Sequence, residues 1–122
     1  MTSQRRRADS SRAPLRNLTN HGQLLFLSLA DTFSDDPDVT HSTMMGYPCL
    51  RSKGSFFACV ERTTGHLVVK LPAPRVRELI ALGRAISFAP NGRVFKEWAA
   101  FPGPDRKEWR GLLQEARAFV NA

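Results

Sequence analysis

Residues 42–71 read STMMGYPCLRSKGSFFACVERTTGHLVVKL, and this stretch decides the fold. Its apolar and β-branched residues come in short runs separated by turn formers, Arg51-Ser52-Lys53-Gly54 and Arg62-Thr63-Thr64-Gly65. Ser55 to Glu61 and His66 to Leu71 therefore read as strands. Val39 to Leu50 reads as one extended segment before them, with Pro48 restricted to an edge or bulge position because it has no N–H to give a ladder. Strands joined by tight turns pair antiparallel, so residues 42–71 are expected to form a three-strand meander. Cys49 and Cys59 fall in neighbouring strands. Whether they face each other depends on the turn at Lys53-Gly54, since a one-residue slip moves a side chain to the other face.

On the N-terminal side, Asn20 and Gln23 resemble a capping box. Leu24, Leu25, Leu27, Leu29, Ala30 and Phe33 then predict an apolar helix over 21–33, stopped by Ser34-Asp35-Asp36-Pro37-Asp38. On the C-terminal side, Pro72-Ala73-Pro74 ends the meander. Val76, Leu79 and Ile80 make the stripe of a short helix, with Gly83 just past its end. Ala85 to Phe88, a turn at Pro90-Asn91-Gly92-Arg93 and Val94 to Phe101 predict a second hairpin. After Pro102-Gly103-Pro104, a final helix carries Trp109, Leu112, Leu113, Ala116, Phe119 and Val120 on one side, with Asp105 and Glu108 in its first turn.

The expected order is α-β-β-β-α-β-β-α. That is an α+β domain in which an antiparallel sheet, built from the meander and the second hairpin, packs with three helices. A chain of 122 residues suits one such domain, placed at 20–122. Apolar residues at 42% and charged residues at 24% are an ordinary globular balance, and no apolar run is long enough to span a bilayer. Residues 1–19 read as a disordered basic tail: the first 20 residues hold five arginines and one acid and lack the apolar stretch of a secretory signal. A cytoplasmic protein with two reduced thiols is expected. The net charge is +7, of which residues 21–122, with 13 basic and 10 acidic side chains, carry only +3.

Little in the chain resembles a catalytic constellation. His21, His41 and His66 lie in no local signature, and there is no nucleophile elbow, P-loop or GxGxxG. Asp35, Asp36 and Asp38 read as a solvated turn. Glu97, beside Trp98, reads as one half of a structural ion pair with Lys96, Lys70 or Arg93. His41 and Cys49 lack companion ligands, so neither metal nor cofactor is expected. The positive content is basic. Arg51, Lys53, Arg62 and Arg93 fall in turns, Arg75 and Arg77 begin the short helix, and Lys96 precedes Trp98. Cations at loop tips and helix starts reach phosphates without disturbing a sheet. Tyr47, Phe56, Phe57 and Trp98 suit either a stacking platform or the core, and core is the expectation for strand aromatics in a small domain.

Met44-Met45-Gly46, Gly54-Ser55-Phe56-Phe57-Ala58, Leu67-Val68-Val69-Lys70-Leu71-Pro72 and Lys96-Glu97-Trp98, in this order and spacing, resemble the YjbR-like superfamily. The superfamily comprises the MmcQ/YjbR proteins and the N-terminal domain of the TfoX/Sxy regulators, and the likeness covers about residues 20–121. It implies an α+β fold with two β-hairpin wings, here Arg51–Gly54 and Pro90–Arg93, and DNA binding by those wings. It supplies no catalytic residue. The expectation is a non-enzymatic DNA-binding protein that contacts phosphates through Arg51, Lys53, Arg62, Arg75, Arg77, Arg93 and Lys96. The alternative is a protein-interaction or regulatory adaptor. Neither a membrane nor a small-molecule substrate is expected as partner.

Overall fold

The computed structural model describes residues 21–44 and 46–122. The expected N-terminal tail, the Asn20 cap and Met45 lie outside the described residues. Among the described residues three helices, α1 (His21–Ala30), α2 (Ala73–Ala81) and α3 (Arg106–Asn121), accompany six strands: β1 (Val39–Met44), β2 (Tyr47–Ser52), β3 (Ser55–Val60), β4 (Leu67–Lys70), β5 (Ile86–Ser87) and β6 (Trp98–Phe101). The strands form one antiparallel sheet in the order β1-β2-β3-β4-β6-β5. The α+β class is as expected.

Two details differ from expectation. The segment 39–50 is a hairpin rather than one strand, because β1 and β2 pair antiparallel and Met44 opposes Tyr47. Gly46 sits at φ +80°, which glycine adopts without steric cost. The meander therefore has four strands, and the order is α-β-β-β-β-α-β-β-α. Pro48 pairs only towards β1, since the β2–β3 ladder begins at Cys49, so its missing N–H removes no bond on that side. The second hairpin is also looser than Ala85–Phe88 and Val94–Phe101 suggest. Asn91 and Gly92 do turn with positive φ, but only Ile86–Ser87 pairs with β6. The rest closes as a loop in which the Phe95 N–H donates to the Phe88 carbonyl at 3.0 Å.

The helices cover one face of the sheet. Phe26 and Leu29 of α1, Val76 and Leu79 of α2, and Trp109, Leu112, Leu113 and Ala116 of α3 pack on Leu50, Phe57, Val60, Leu67, Val69, Ala99 and Phe101. Complete burial of each large side chain contributes about 1.5–3 kcal/mol. A β-bulge sets what faces this core. Leu50 opposes Ala58 but Arg51 opposes Phe56, leaving Phe57 as the extra residue of β3. Phe57 and Ala58 consequently both enter the helix-covered core, and Phe56 turns to the other side. The Asp105 carboxylate accepts from the Glu108 N–H at 2.9 Å and caps α3. At the far end, the buried Ser52 hydroxyl donates to Asn121 Oδ1 at 2.8 Å, tying α3 to β2.

Helix α1 enters against the β3–β4 turn with no space to spare. A Cβ on the buried Gly22 would lie 1.9 Å from the Gly65 carbonyl oxygen. Gly22→Ala is expected to destabilise the protein by about 2 kcal/mol or more, as overpacked sites do, read as a lower urea midpoint. Gly111→Ala, on the exposed side of α3 with nothing within 4 Å, is expected to raise stability by about 0.8 kcal/mol. Equal midpoints for both variants and the wild type would contradict this packing.

Candidate nucleic-acid interface

Among the described residues, no helix covers the second face of the sheet. Directly opposed residues share a face, so Ser42, Cys49, Cys59, Val68, Ala100 and Ile86 form a row across all six strands. Cys49, Cys59, Val68 and Ala100 are buried there together with Phe88, and half-buried Met44, Tyr47, Phe56, Phe95 and Trp98 pack around them. The loop after β5 supplies Phe88 and Phe95, whose ring centroids lie 5.8 Å apart. The result is a thin apolar layer with partly exposed aromatic side chains. Of the four strand aromatics, then, only Phe57 is core; Tyr47, Phe56 and Trp98 belong to this face.

The register also places the cations. On one side of the Cys49–Cys59 row lie the β2–β3 turn, the end of β4 at Lys70, the end of β5 and the start of β6 at Trp98. Both turn segments, Arg51–Gly54 and Pro90–Arg93, therefore leave the same end of the sheet. Three strand spacings separate them, roughly 14 Å. The Arg51 guanidinium lies 4.2 Å from the Phe56 ring centroid, and that of Arg93 lies 5.7 Å from the Phe95 centroid. Lys70 opposes Trp98 on the same face. Lys53, Lys70, Arg77 and Lys96 have no ion-pair partner among the described residues. Between α2 and the β5–β6 loop, Val76, Ile80, Phe95 and Trp98 line a cavity of about 280 Å³ together with Arg77 and Lys96.

Two of the expected residues do not join this group. Arg75 is bound by carboxylates in the helix layer: its Nε donates to Glu115 at 2.9 Å and its Nη1 to Glu78 at 2.8 Å. Glu115 first and Glu78 second hold the guanidinium more firmly charged. Arg62 lies in the β3–β4 turn at the opposite end of the sheet, where its Nη1 reaches the Gly46 carbonyl at 3.5 Å. Glu97 departs from expectation too. It is exposed, and its carboxylate has no partner among the described residues, so it forms no pair with Lys96, Lys70 or Arg93. Lys70 and Phe95 are members of the face that sequence reasoning did not select. The alternation of Val68 with Lys70 was the available signal for the lysine. No group of three or more His, Cys, Asp or Glu residues converges among the described residues as a metal site would require.

Cys49 and Cys59 are free thiols directly opposed across β2 and β3. The Cys49 thiol donates to the Tyr47 carbonyl at 3.3 Å. The Cys59 thiol is pushed far up because it is the hydrogen-bond donor to the Cys49 sulfur and because it is buried. No helix among the described residues is long and apolar enough to cross a membrane. No family model, curated protein or solved structure matches this chain.

The two thiols act on stability in opposite directions: the hydrogen bond from Cys59 holds the Cys49 thiol below its ordinary range, which adds stability as pH rises, whereas Cys59 removes it. An unfolded thiol ionises near pH 8.5, whereas folded Cys59 keeps its proton, so above that pH the unfolded state binds fewer protons and stability falls as pH rises. The Cys59 contribution to the decline is about 1.4 kcal/mol per pH unit once the unfolded thiol is ionised. Urea unfolding of wild type and the Cys49→Ala/Cys59→Ala double variant between pH 7 and 10 measures it, since Cys59→Ala alone would release Cys49 from the hydrogen bond that holds its thiol down. The variant is expected to show the shallower alkaline decline; parallel curves would contradict the assignment.

Proposed function

We propose that the chain is a small non-enzymatic DNA-binding module of the MmcQ/YjbR type, which contacts phosphates through side chains at one end of its sheet. The observation that carries this reading is the shared end of the two turn segments. Arg51, Lys53, Lys70, Arg93 and Lys96 lie there on four different elements, and Arg77 follows just inside α2. No carboxylate neutralises them in an ion pair among the described residues. Such cations release counterions when they meet phosphates, so affinity falls with salt in proportion to the contacts made. Arg62 and Arg75 are left out of the contact set, the first by position and the second by its two carboxylates.

The measurement is fluorescence anisotropy of labelled DNA with the full chain over a range of salt concentrations. Each of Arg51→Ala, Arg93→Ala and Lys96→Ala is expected to lower the slope of log K against log salt by about 1. Arg62→Ala and Arg75→Ala are expected to leave the slope unchanged. Because every variant keeps the five arginines within residues 1–20, their contribution cancels in the comparison. No binding at low salt, or equal slopes throughout, would overturn the reading and favour the adaptor, whose partner would be a protein.

A further inference from the structure

Phosphate contacts alone leave the aromatic content of the uncovered face unused. Tyr47, Phe56, Phe95 and Trp98 are half-buried there, each fixed from beneath by the Cys49–Cys59–Val68–Ala100 layer. From β3 to β6 the spacing is two strands, on the order of 10 Å, and Lys70 stands on β4 between Phe56 and Trp98. Two of the rings already carry a guanidinium, Arg51 on Phe56 and Arg93 on Phe95. Lys96 and Arg77 line the cavity beside Trp98, together with Phe95.

We propose that this face binds single-stranded DNA, with one base stacked on Trp98, another on the plane of the Arg51 guanidinium that covers Phe56, and the backbone held by Lys70, Arg93 and Lys96. The proposal rests on the DNA-binding reading above and names the form of DNA. In a duplex both faces of every interior base are already stacked, so a ring on a flat sheet has nothing to receive; a single strand offers those faces. Each base has a π-face, so stacking of this kind tolerates any sequence, while the surrounding cations follow the phosphates. The charge selects this occupant over an apolar peptide: Arg51, Lys70, Arg93 and Lys96 belong to or flank the face, and the acids that hold arginines in ion pairs, Glu78, Glu108, Glu115 and Asp36, all do so in or beside the helix layer. The apolar slot of about 280 Å³ beside Trp98 is of a size to take one unstacked base.

The chain carries its own probe, because Trp109 is fully buried in the helix-side core whereas Trp98 is half-exposed on this face. Titration of the full chain with oligo-dT of roughly 12 nucleotides is expected to quench the emission of Trp98, and binding should be at least about tenfold tighter than to a duplex of the same length. Trp98→Ala and Phe56→Leu should each weaken single-strand binding about tenfold without changing the salt slope, whereas Trp98→Phe should hold it within about threefold. Circular dichroism and the thermal midpoint establish that each variant is folded; should Trp98→Ala fail to fold, Phe56→Leu and the quenching of the wild type carry the test. Duplex binding as tight as single-strand binding, with no quenching and no effect of Phe56→Leu, overturns stacking while leaving the phosphate reading intact. Absence of binding to either form at low salt overturns both.

Discussion

A six-stranded sheet whose described helices all lie on one side has to close its other side with the side chains at hand. In this protein that constraint is met by a single row, Cys49, Cys59, Val68 and Ala100, capped by Phe88 from the loop that follows β5. The β-bulge at Phe57 makes the arrangement possible. Without the extra residue, strand alternation would not allow Phe57 and Ala58 to share the helix-covered core with Leu50 while Phe56 turns outward beside Arg51. Two small thiols at the centre of the uncovered row keep the layer thin, and the larger rings are left at its margin, where they stay partly in contact with water.

The ion pairs follow the same boundary. In and beside the helix layer, Arg75 is held by Glu78 and Glu115, Arg84 by Glu108, and Arg117 by Asp36. Partly exposed pairs of this kind contribute little to stability. Their effect is on the field: they neutralise Arg75, Arg84 and Arg117, while Arg106, Lys107 and Arg110 of α3 have no ion-pair partner among the described residues, as is the case for the cations on the sheet side. There the cations meet aromatic rings or water instead of carboxylates. A net charge of +3 over residues 21–122 would mean little if evenly spread. Its distribution matters more: Arg51, Lys53, Lys70, Arg93 and Lys96 gather at one end of the sheet, with Asp38 and Glu97 beside them.

Much of this architecture was legible in the sequence. The apolar stripe of Trp109, Leu112, Leu113 and Ala116 marked α3 and its buried side, and the turn formers around Lys53-Gly54 and Thr64-Gly65 marked the strands between them. The β1–β2 reversal was hidden because Met45-Gly46 lacks the Asn-Gly or Asp-Gly signature and sits within an unbroken β-forming run. The second hairpin was overread for the opposite reason: Asn91-Gly92 turns as its sequence suggests, but Phe88 and Phe95 gain more by packing on the sheet than by extending its edge. Among the site residues, position along the chain could not reveal that Arg75 would meet Glu115, forty residues away, or that the turn carrying Arg62 would emerge at the far end. The bulge was the deepest obstacle. It inverts the facing of Phe56 and Phe57, and no local signal in Ser55-Phe56-Phe57-Ala58 distinguishes the ring that packs in the core from the one that does not.

The central claim is that the uncovered face, rather than the helix layer, is the binding surface. Amide and side-chain chemical-shift mapping by NMR during titration with a short oligo-dT tests it most directly. The expected result is a contiguous set of perturbations at Arg51, Phe56, Lys70, Phe95, Lys96 and the Trp98 indole, with the buried Trp109 indole and the exposed side of α3 unmoved. Perturbations gathered on α1 and α3, or at the Arg62 end of the sheet, would contradict it.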